Sequence, residues 1–124
     1  MISRMADEYA TGDTARALQL VSEVELLKSL NCSTESIANA VADGTLFFVV
    51  KDGQRMYPSF FADLSHKRRQ LAAVAKLLKG LDGFTKWQFF VTGKGSLGGL
   101  TPLEALLQGK LRQVKTTAEG FAER

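Results

Sequence analysis

A mainly helical fold with one small β-hairpin is what this chain predicts, and three observations carry the prediction. Two stretches hold complete helix start and stop signals, an Asp-Gly pair separates two strand-like runs, and apolar residues recur at helical spacing through the second half. The expected architecture is a helix-turn-helix with a wing, followed by a C-terminal helical bundle.

The elements follow in order. Asp13 is placed to cap a short helix running through Ala17, Leu18 and Val21. Ser22 and Glu25 form a capping box, Val21 and Leu26 are spaced as a hydrophobic staple, and Leu26, Leu27 and Leu30 give the next helix its apolar face. Asn31 suits a C-cap; Ser33 then restarts a helix with Ile37, Ala38 and Val41 inward until Gly44 stops it. Leu46 to Val50 reads as a strand, Lys51-Asp52-Gly53-Gln54 as a hairpin turn, and Arg55-Met56-Tyr57 as the return strand that Pro58 ends.

Beyond Pro58 the pattern is helical again. Leu71, Val74, Ala75, Leu78 and Leu81 outline a long amphipathic helix that Gly80 and Gly83 close, and Phe84, Trp87, Phe90 and Val91 outline another. Thr101 and Glu104 make a second capping box, Pro102 sits at the first helical position, and Gly109 is placed to end that helix. Leu111, Val114, Ala118 and Phe121 mark the last helix. This divides the chain into an N-terminal extension (1–20), a winged helix-turn-helix-like module (21–62) and a C-terminal helical partner-binding domain (63–124).

Composition narrows the class. With 124 residues, 45% hydrophobic and 23% charged, the chain suits one compact unit or two very small lobes sharing a core. The start lacks the basic and apolar regions of a signal peptide, no apolar run is long enough to span a bilayer, and Cys32 is the single cysteine; a cytoplasmic protein is expected. The net charge of +3 is unevenly placed: residues 1–44 sum to −4 and residues 45–124 to +7. That split points either to an anionic partner on the second part or to a dimer whose opposite ends meet.

Catalytic chemistry has few candidates. His66 is the only histidine, so neither a histidine metal cluster nor a paired nucleophile is available, and neither metal nor cofactor is expected. Gly93-Lys94-Gly95-Ser96 lacks the spacing of a phosphate-binding loop. Cys32 reads as structural and Trp87 as a core anchor.

Nucleic-acid binding has better grounds. The early residues of a second helix in a helix-turn-helix reach base edges, here Ser33, Thr34, Glu35 and Ser36, with Asn39 one turn on and able to read adenine. This helix has no Lys or Arg, and Glu35 and Asp43 repel a polyanion. Attraction would therefore come from Lys28, from Lys51 and Arg55 on the wing, and from Lys67, Arg68 and Arg69. The alternative is a helix pair that serves as packing scaffold without touching DNA.

The run Leu97-Gly98-Gly99-Leu100-Thr101-Pro102-Leu103-Glu104-Ala105-Leu106, with Gly109 and Val114, resembles the C-terminal toxin-binding domain of Xre/MbcA/ParS-type antitoxins. Gly53, Tyr57, Pro58 and Phe60, the aromatic helix around Trp87 and the preceding helix pair are also similar to members of that group. The winged module departs from the longer all-helical repressor domain common there. The resemblance implies an antitoxin that sequesters a cognate toxin of the RES-domain or ADP-ribosyltransferase kind and represses its own operon as a homo-oligomer, such as a homodimer. It implies partner contacts from Leu97, Gly98, Gly99, Leu100 and Thr101, and from Leu111, Arg112, Gln113, Val114 and Lys115. Lys94, Lys110, Arg112 and Lys115 would lay positive charge near a pocket built for a phosphorylated cofactor. Leu111, Val114 and Phe121 equally suit the closing of this chain's own core or a homodimer seam. A stand-alone DNA-binding regulator whose C-terminal helices dimerise it is the second reading.

Overall fold

The computed structural model of the protein describes residues 18–123. A short strand β1 (Leu20–Val21) leads into α1 (Glu23–Leu30) and α2 (Thr34–Asp43). Strands β2 (Val49–Lys51) and β3 (Gln54–Pro58) follow as the hairpin. Five helices complete the chain: α3 (Phe60–Asp63), α4 (Arg68–Leu77), α5 (Gly83–Val91), α6 (Pro102–Leu107) and α7 (Leu111–Ala122). Short 3-10 turns lie at Ser65–Lys67 and Gly95–Leu97. The fold is mainly helical with a small antiparallel sheet, as expected.

Local chemistry explains most boundaries. Both capping boxes form: Ser22 and Glu25 bond reciprocally at 2.9 and 3.2 Å, Thr101 and Glu104 at 2.8 and 3.1 Å. Asn31 takes a left-handed conformation (φ 52°) and ends α1, and Gly44 does the same for α2 (φ 84°). Asp52 and Gly53 both have positive φ, 54° and 77°, as the two central residues of a type I′ turn require.

The sheet differs from the expected hairpin alone. Its order is β1-β3-β2, with Leu20 opposite Pro58 and Val21 opposite Tyr57. Leu20 and Val21 are therefore strand, and the helix expected to run through Val21 does not reach that far. The part of that helix at 13–17 lies outside the described residues. Pairing with a strand distant in sequence overrides a local spacing that also fits a helix. α4 ends at Leu77, leaving Leu81 beyond it, and β2 starts only at Val49, with Leu46 and Phe47 buried as irregular chain.

One hydrophobic cluster runs through the described residues. Leu26, Ile37, Leu46, Phe47 and Tyr57 from the 21–62 segment join Leu71, Val74, Leu78, Phe89, Phe90, Leu103, Leu106 and Val114 from the rest. Phe47 is its hub, with ring centroids 6.4 Å from Phe60, 5.2 Å from Phe61 and 5.9 Å from Phe90. α4 packs on α7, α5 packs on α6, and α5 also meets β2.

Candidate functional site

The face of the α1–α2 pair expected to read DNA is built by caps. Ser33 caps α2 by accepting the backbone N–H of Ser36 at 3.1 Å, and the two hydroxyls lie 3.1 Å apart. Both serines are thus engaged locally, whereas Thr34, Glu35 and Asn39 stand exposed along α2. Arg68, from the start of α4, shares a small pocket with Leu30, Cys32, Ser36 and Thr45. The fold therefore brings one residue of the basic cluster beside the helix expected to read bases. Arg69 is exposed nearby in sequence, Lys67 is half-buried in the 3-10 turn, and Lys28 is exposed on α1.

The hairpin separates its two cations. Val50 stands opposite Arg55 and Lys51 opposite Gln54, and side chains of opposite residues share a face while neighbours alternate. Lys51 and Arg55 consequently occupy opposite faces of the hairpin. Arg55 lies 4.5 Å from the ring centroid of Phe48, which holds its guanidinium against the strand.

The C-terminal turn is tightly closed. Lys94 N–H donates to Leu100 O at 3.0 Å, and Lys94 O accepts from Leu97 N–H at 3.0 Å and Gly99 N–H at 2.9 Å. Gly98 and Gly99 have φ of 68° and 92°, a conformation that L side chains resist. A Cβ at Gly93 would lie 2.6 Å from Gly99 O, so the two backbone segments touch. Ser96 and Thr117 hydroxyls at 2.8 Å tie the turn to α7. Lys94 Nζ lies 4.9 Å from the Phe89 ring and 4.8 Å from the Phe121 ring.

Two expected partner residues are corrected. Val114 is fully buried and Leu97 is 5% exposed, both within the core cluster. α7 turns Val114 toward α4, so it closes this chain's own core and is not a surface anchor. Leu100, Thr101 and Leu111 are half-buried, and Gly98, Gly99, Arg112, Gln113 and Lys115 are exposed. These form what remains of the predicted partner surface.

Buried polar groups were invisible in the sequence. Tyr57 donates its hydroxyl to Glu23 Oε1 at 3.2 Å; burial, with the Glu23 carboxylate adding to it, raises the phenol above its ordinary range. Lys86 is 9% exposed with its Nζ 5.8 Å from the Phe47 ring centroid, and burial lowers its ammonium below the usual lysine value. Among the described residues no three His, Cys, Asp or Glu gather as a metal site, and no helix is long and apolar enough to cross a membrane. No family model, curated protein or solved structure matches the chain.

Proposed function

We propose that this chain is an antitoxin-like, non-enzymatic binding protein of the cytoplasm that captures a cognate toxin and contacts operator DNA. The observation that carries this reading is the closed turn at Gly98–Gly99. It exposes backbone without side chains, it is fixed by five internal backbone hydrogen bonds between Lys94 and Leu100, and it lies in the segment that resembles the toxin-binding domain. A turn already held in one conformation loses little entropy on entering a partner's cleft. Exposed Arg112 and Lys115 on α7 add the positive charge that suits a pocket for a phosphorylated cofactor.

Co-expression with the product of the neighbouring gene tests it. A stable complex is expected, and Arg112→Glu with Lys115→Glu should abolish it while the melting curve of the free chain stays unchanged. Failure of the unaltered chain to form any complex removes the reading.

The adjacency of Arg68 and Ser36 favours a second reading, a DNA-binding regulator that acts without a toxin. Specific operator binding with no complex would support it.

A further inference from the structure

A groove on the open face of the sheet stands apart from both the glycine turn and α2. The register puts Leu20, Val49, Lys51 and Met56 on one face. α5 walls it with Phe84 and Trp87, whose rings meet edge to face at 6.1 Å. With Leu18, Gln19 and Val50 these residues line a cavity of about 590 Å³, a size typical of small-molecule sites. Four large apolar side chains are exposed among the described residues, and two of them border this groove, Leu18 at 47% and Phe84 at 55%.

Its polar groups are one-sided. Among the described residues, Lys51 is the single charged residue in the lining and no carboxylate joins it there, while Gln19 adds a neutral amide. An occupant that complements this surface brings an apolar body and a negatively charged oxygen.

We propose that the groove binds a small amphipathic monocarboxylate. Its apolar body lies against Met56, Phe84 and Trp87, and its carboxylate is directed to Lys51. Because the walls come from the wing strands and from α5, such a ligand ties the two together.

Trp87 is the only tryptophan in the chain, so its emission reports this groove alone. The full chain is titrated below micellar concentration with decanoate, decanol and decylamine. A saturable emission change is expected with decanoate, and weaker responses with the other two. Lys51→Gln should weaken decanoate binding roughly two- to five-fold, as an exposed ion pair allows. Phe84→Gln, at an exposed position, should weaken decanoate and decanol alike with circular dichroism unchanged. The proposal is overturned by no saturable response, by equal response to all three probes, or by full decanoate affinity in Lys51→Gln. An emission change on adding a protein partner, with none on adding decanoate, overturns it in favour of a polypeptide occupant.

Discussion

The carbonyl oxygen of Phe48 occupies the place a side chain of Gly83 would take, so the first turn of α5 is pressed directly onto the chain entering β2. Gly83→Ala is therefore expected to destabilise the fold by about 1–3 kcal/mol through backbone displacement. Gly120, inside α7 with open space around its Cβ position, should behave oppositely. Gly120→Ala is expected to stabilise by about 0.5–1 kcal/mol. Urea melts of the two variants check the opposite signs.

Val114 is enclosed by the core, so removing its methyl groups acts on folding. Val114→Ala should cost about 2 kcal/mol from reduced burial and the cavity left behind. Arg112→Ala, on the same helix but exposed, should stay within about 0.5 kcal/mol. Thermal denaturation distinguishes them. A Val114→Ala variant as stable as the parent would return that residue to the surface.

The capping box of α6 fixes the end of the glycine turn as well as the helix. Thr101→Ala is expected to lower stability by about 1 kcal/mol. Hydrogen exchange should quicken at the Leu100 and Gly99 amides, whose bonds close the turn. Unchanged exchange there would mean that the backbone bonds between Lys94 and Leu100 hold the turn without help from the cap.

Replacing Lys67, Arg68 and Arg69 with Ala should weaken DNA binding at every sequence and flatten its salt dependence, by about 0.9 in the logarithmic slope for each phosphate that is no longer neutralised. Among single variants Arg68→Ala should have the largest effect, since Arg68 adjoins Ser36 on α2. Filter binding across a salt series reads both quantities, and an unchanged slope means that the cluster touches no phosphate.

Among the described residues, Asp82, Lys86 and Tyr57 have shifted protonation that couples the fold to pH. The Asp82 carboxylate accepts from Thr85, which holds it below the ordinary value of 3.8. Its stabilisation is complete above that value and is lost as pH falls through the lower, folded one. Asp82→Asn should keep the cap and flatten the acid limb of the melting-temperature profile. At the alkaline end the signs oppose. Burial lowers Lys86 below 10.5, so in that window the unfolded chain holds more protons and stability rises with pH. Tyr57 lies above 10.0 in the fold, so stability falls as pH passes 10.0. Lys86→Met should remove the rising part and leave the falling one.

Features written within a few residues were legible in the sequence. Ser22 with Glu25, Thr101 with Glu104, and Asp52 with Gly53 each place donor, acceptor or turn geometry inside one short window, and all three form as read. Leu20–Val21 escaped because its only strand partner among the described residues, Tyr57–Pro58, is remote in the chain and its apolar spacing also fits a helix. Leu97 and Val114 show the other limit. An apolar stripe says that a face is buried but not against what, and the packing of α4 on α7 decides it for Val114. The sheet groove draws Leu18, Met56 and Trp87 from three separate segments, which no local pattern could join.

The ring cluster around Phe47 joins the two halves of the chain in one interior. Phe47, Phe60 and Phe61 precede residue 63 and Phe90 follows it, yet they stack as one group. A genetic exchange that replaced either half would leave aromatic surface without its counterpart, and neither product would hold a complete interior. The two halves are accordingly expected to unfold together, in one cooperative transition.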